Sequence, residues 1–214
     1  MYTEIVWNVS FWSCLVKIDQ KLLELAIDRS CIHCGKPLHI SHFPRKVRGL
    51  DAAAEPFFKN RFSTCCAHCR RRHTPLSVRF MGRRVYAFVV VILACMRALA
   101  DAASPRTLGR WTTWWTQGLP CLAVWRLVQS RFVGGLQVER LPASLVERCE
   151  QQELQPSAQG LLRTLAMLLP LSRWQGQLTV FDSGISRPVL TQSMLIAAEY
   201  QDPLGQCRVP ESNS

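Results

Sequence analysis

Two short cysteine pairs, Cys31-Ile32-His33-Cys34 and Cys66-Ala67-His68-Cys69, constrain this chain more than any other feature. Two residues between the sulfurs let a tight turn aim both at one tetrahedral ion, and Gly35 permits a positive-φ turn just past the first pair. The segment between Cys34 and Cys66 is long enough for a strand and a loop. Cys65 offers a different third ligand; Cys66 is preferred because Cys66 to Cys69 repeats the first spacing. The predicted cofactor is one structural Zn²⁺ held by Cys31, Cys34, Cys66 and Cys69. Such a closed site contributes folding energy and leaves no open position for catalytic water. Four thiolates around Zn²⁺ carry a formal charge of about −2, which Arg70, Arg71 and Arg72 would offset. His33, His39, His42, His68 and His73 lie close in sequence, so a three-cysteine, one-histidine site stays open. Cys14, Cys95, Cys121, Cys149 and Cys207 are scattered and read as packing residues.

Metal is favoured over disulfides because the chain reads as a resident of a reducing compartment. Its first residues lack a basic leader region and a small-residue cleavage site. The longest apolar run, Val85 to Met96, is shorter than the ~20 residues of a membrane span. The expectation is a bacterial cytoplasmic, nucleoid-associated protein with no membrane partner. A hydrophobic share of 48% and a charged share of 19% fit a globular chain rather than a disordered tail.

Net charge is +11, and its placement says more than its total. From residue 43 to 84 there are eleven Lys or Arg (Arg45, Lys46, Arg48, Lys59, Arg61, Arg70, Arg71, Arg72, Arg79, Arg83, Arg84) against Asp51 and Glu55. That local +9 surrounds the second cysteine pair and leaves +2 for everything else, so a polyanion would be met here.

Past the basic stretch, residues 85–100 read as an apolar helix closed by Asp101-Ala102-Ala103. Ser104-Pro105 then supplies an N-cap and a proline at the first helical position. Helical spacing puts Leu108, Trp111 and Trp115 on a core face and Arg106, Arg110, Thr113 and Gln117 on one polar stripe. Arg, Thr and Gln side chains reach base edges and phosphates in a major groove. A helix, a short turn and a capped helix predict a helix-turn-helix, completed by a third helix over 121–132 carrying Val124, Trp125, Val128 and Phe132. Further helices are expected over 143–152 and 158–169, the latter buried in its own core. A short helix follows from Thr191, then a frayed polar tail. The predicted fold is mainly α with a small β zinc ribbon. Its parts are an N-terminal segment and ribbon (1–84), a helix-turn-helix domain (85–135) and a helical extension (136–214).

The segments CIHCGKPLH, RFSTCCAHCRRRHTPLSVRFMGRRVY and SPRTLGRWTTWW resemble bacterial zinc-ribbon proteins encoded with insertion sequences and other mobile elements. The ribbon also looks like the N-terminal finger of some insertion-sequence transposases. The resemblance runs from about Cys31 to Phe132. It implies that Cys31, Cys34, Cys66 and Cys69 bind zinc and that Arg106, Thr107 and Arg110 lie on a DNA-facing helix. The partners it implies are double-stranded DNA and a transposase or recombinase of the same element, with a homodimer as an option. A complete transposase also carries an acidic-triad nuclease domain, and the residues after the third helix are too few for one. The expectation is therefore a DNA-binding accessory or targeting factor, or a repressor, with no catalysis of its own. The alternatives are a truncated transposase or nuclease component, or an RNA- or protein-binding ribbon module.

Overall fold

The computed structural model describes residues 2–82, 85–99, 101–150 and 158–173. The side chain of Val124, residues Arg83 and Arg84, Cys207, the helix expected from Thr191 and the polar tail lie outside the described residues.

The N-terminal region, which carries no helix in the sequence reading, folds as helices α1 (Tyr2–Val6) and α2 (Val9–Asp28). The Asn8 side chain caps α2 by accepting from the Ser10 N–H at 2.8 Å. Phe11, Trp12, Leu15, Ile18 and Leu22 recur on one face of α2 and are buried together. From that face Trp12 meets Phe58 edge-on at 5.1 Å, and Phe58 meets Phe80 at 5.9 Å. These rings tie α2 to the middle of the chain.

The cysteine region builds two small antiparallel sheets. Strands β1 (Leu38–Ile40), β4 (Thr64–Cys66) and β5 (Arg72–His73) form one, in the order β1-β4-β5. Strands β2 (Phe43–Pro44) and β3 (Asn60–Arg61) pair as the other, with the short helix α3 (Glu55–Phe58) before β3. The register sets Leu38 opposite Cys66, His39 opposite Cys65, and Cys65 opposite Arg72.

Helix α4 (Phe88–Cys95) is apolar on every side, and Phe88 to Ala94 are all buried. It is shorter than the predicted 85–100. Arg97 adopts a left-handed φ of 57°, and Ala98 N–H returns to Leu93 O at 2.9 Å, which closes the helix early. Helix α5 (Pro105–Thr113) begins where predicted, with the Ser104 hydroxyl accepting from Thr107 N–H. Residues 96–104 thus join the two helices by a longer path than the short turn expected from the sequence. Helix α5 runs on into a π-helical turn (Trp114–Gly118) and a 3-10 turn (Leu119–Cys121). A Cβ on Gly118 would lie 2.8 Å from the Trp114 ring, so a larger residue there has to displace that ring. Helix α6 (Ala123–Gln129) buries Trp125 and Val128.

Helices α7 (Ala143–Glu150) and α8 (Ala158–Met167) pack on each other, and α8 buries Leu161, Leu162 and Leu165. A single apolar cluster runs from Ile5 through α4 and α5 to Leu171, crossing all three predicted segments. The cysteine pairs form a separate small cluster with Leu38. Among the described residues no helix is long and apolar enough to cross a membrane. The result is a mainly α fold carrying a small sheet and a four-cysteine cluster.

Candidate metal centre and cationic surface

The two cysteine pairs sit on matching turns. In the first, Gly35 N–H donates to Cys31 O at 2.7 Å and Cys31 N–H to Lys36 O at 2.9 Å. In the second, Arg70 N–H donates to Cys66 O at 3.0 Å and Cys66 N–H to Arg71 O at 3.0 Å. The left-handed position of each turn is Gly35 (φ 66°) in the first and Arg70 (φ 58°) in the second.

These turns bring four sulfurs from residues 31–69 within 4.8 Å of one another. Cys31 and Cys69 Sγ are 3.6 Å apart, and Cys34 and Cys66 Sγ 3.5 Å. Tetrahedral bonds of about 2.3 Å need sulfur separations of about 3.8 Å, so the cluster is already sized for one metal ion. The Cys69 N–H donates to Cys66 Sγ at 3.4 Å, a backbone bond that favours the thiolate form of Cys66.

The same geometry gathers Cys66 rather than Cys65 with the other three cysteines. Cys65 alternates to the other face of β4, and its sulfur points at Arg70 O, 3.5 Å away. Among the described residues the metal-binding group contains four cysteines and no histidine. His73 stands just outside it, with Nε2 3.3 Å from Cys31 Sγ. Outer-shell hydrogen bonds of this kind orient ligands and temper their charge.

The predicted cationic residues separate into groups. Arg70, Arg71 and Arg72 are exposed beside the cluster, and no carboxylate of a described residue pairs with them. Arg71 Nη1 lies 2.9 Å from His33 Nδ1. Lys46 and Arg48 are exposed, whereas Arg45 is half-buried with its guanidinium 5.6 Å from the centre of the Phe80 ring. The Arg48 N–H donates to Val85 O, and Tyr86 meets Trp111 edge-on at 4.8 Å, so this arm packs near the root of α5. On α5 and the π-helical turn that continues it, Arg106, Arg110, Thr113 and Gln117 are all exposed, whereas Trp111 and Trp115 are buried. Thr107 is half-buried and takes part in the Ser104 cap.

Arg79 is a correction. It is 3% exposed, its Nε donates to Asp19 at 2.6 Å, and its Nη1 donates to Phe57 O. A guanidinium locked into the core cannot reach a nucleic acid, so Arg79 leaves the DNA-contacting set. Arg61 is equally buried, donating to Pro75 O and Ser172 O at 3.2 and 3.1 Å.

Sequence reasoning misses Ser41 and Ser63, which hold Arg72. Their proximity depends on strand register, and no local spacing signals it. No family model, curated protein or solved structure matches the chain.

Proposed function

We propose that this chain is a zinc-stabilised DNA-binding protein of a mobile genetic element, acting as an accessory or targeting factor or as a repressor. The observation that carries the reading is the run of exposed, carboxylate-free guanidiniums at Arg70 to Arg72, set on the turn that holds half the metal cluster. Four thiolates favour Zn²⁺ among the ions available to a reduced chain, and a closed donor set serves folding rather than hydrolysis. Neutral base edges would be read by α5 and the turn that continues it, whose exposed Arg106, Arg110, Thr113 and Gln117 contrast with the buried Trp111 and Trp115. The α4–α5–α6 unit supports that helix as a helix-turn-helix variant with a lengthened connection. The mobile-element assignment rests on the resemblance of the cysteine and α5 segments.

The test is a binding-site selection on zinc-loaded protein, followed by a salt series. Contact with about six phosphates makes affinity fall by about 10³ between 50 and 200 mM salt. Weak binding that ignores salt, or a clear preference for single-stranded RNA, overturns the reading.

A further inference from the structure

Arg72 is exposed, yet its guanidinium is held in place from below. Its Nη1 donates to Ser41 O and to Ser63 Oγ, both at 3.2 Å, and its Nη2 reaches Ser41 Oγ at 3.4 Å. The Phe43 ring backs the group at 5.4 Å from its centre. Ser63 is itself fully buried and donates through Oγ to Ser41 O. Three elements therefore fix one side chain: the β1–β2 connection, the residue before β4, and β5.

A guanidinium has five N–H donors in a planar fork. The bonds to Ser41 and Ser63 engage Nη1 and Nη2. Nε–H bonds to no described residue, and with Nη2 beside it forms the side-on edge that matches two oxygens of a phosphate.

We propose that Arg72, braced by Ser41 and Ser63 and backed by Phe43, is a fixed two-pronged seat for one backbone phosphate of the nucleic acid. The inference rests on the DNA-binding reading and deepens it. Arg70 and Arg71 serve that reading as point charges; Arg72 sets the register of the chain on the backbone.

Lysine separates the two roles, because it keeps the charge and loses the fork. Zinc-loaded full-length protein is titrated with a short random duplex across a salt series, with metal content and melting temperature as fold controls. R72K is expected to lower affinity about tenfold with an unchanged salt slope, and R72A to lose about one unit of slope as well. R71K is expected to stay within about twofold of wild type. S63A should weaken binding in the wild-type background and have no further effect in the R72K background. An R72K protein within twofold of wild type overturns the seat while leaving DNA binding intact; a wild-type chain that fails to bind duplex overturns both. The Nε–H resonance of Arg72 gives a second measurement on the unmutated protein. It should shift on adding duplex, and an unmoved resonance at saturation overturns the proposal even if the variants misfold.

Discussion

Asp19 and Arg79 meet as a buried ion pair, with Arg79 Nε donating to Asp19 Oδ2 at 2.6 Å and both side chains 3% exposed. The carboxylate also accepts from Ser77 Oγ at 2.6 Å and from Val78 N–H at 2.8 Å. One side chain of α2 thus holds the segment that links the cysteine region to α4. It does so where water cannot replace a lost partner.

Removing one half of such a pair leaves an uncompensated charge in the core. D19N puts an amide NH₂ where Oδ2 accepts from Arg79 and Ser77, and the expected loss is about 3–5 kcal/mol. Joint replacement, D19L with R79M, should recover a large part of it, because no charge then stays buried. Urea unfolding of the three proteins measures this. A D19N protein as stable as wild type would mean that the pair carries no weight in the fold.

The metal cluster makes a sharper demand on two adjacent cysteines. C66S removes a ligand and should lower bound zinc well below one ion per chain. C65S leaves the cluster whole and should keep one ion, since Cys65 faces away from it. Chelation of the wild type should loosen the two cysteine turns and strands β1, β4 and β5 first, because the small apolar cluster there comprises only Cys31, Leu38 and Cys66 with Cys34 and Cys69 against it. Native mass spectrometry and hydrogen exchange read both effects. Loss of zinc from C65S would reverse the assignment.

What the sequence discloses here is what local chemistry encodes. The Ser104-Pro105 start, the buried Trp111 of α5 and the amphipathic helices α7 and α8 follow from capping and periodicity, and they stand within a few residues of their expected positions. The cysteine ligands follow from spacing, although the choice of Cys66 over Cys65 becomes firm only when β4 alternates. The helix α2 was encoded just as plainly in Phe11, Trp12, Leu15, Ile18 and Leu22, a stripe that escapes a reading aimed at export signals. The early end of α4 has no glycine to announce it, because Arg97 itself takes the left-handed conformation. Arg79 looks like its basic neighbours until Asp19, sixty residues earlier, is seen beside it. A charge count along the chain cannot separate a cation in the core from one on the surface.

His42 links stability to pH. Its folded-state value lies below the ordinary 6.5, through burial first and then the charge of Arg79. A depressed histidine binds its proton more readily in the unfolded chain. Its contribution is therefore complete above about pH 6.5 and is lost as pH falls through the lowered folded value. Protonating the ring also removes the Nδ1 lone pair that accepts Ser63 N–H. H42Q should flatten the fall in denaturation midpoint between about pH 7.5 and 5.5 relative to wild type, with thiolate protonation common to both. Parallel pH profiles for the two proteins would dismiss this role.

Gly109 lies in the middle of α5, exposed, with nothing within 4 Å of a Cβ built on it. Its φ requires no glycine, so the fold gives no reason for the roughly 1 kcal/mol that glycine costs in a helix interior relative to alanine. G109A is expected to raise stability by about 0.5–1 kcal/mol in urea unfolding. The position sits between Arg106 and Arg110 on the helix proposed to enter the groove. If the backbone there approaches DNA closely, the added methyl should weaken duplex binding by several fold even as the fold gains stability. A G109A protein that is more stable and binds as tightly as wild type would place that turn of α5 away from the DNA, and leave groove reading to Thr113 and Gln117.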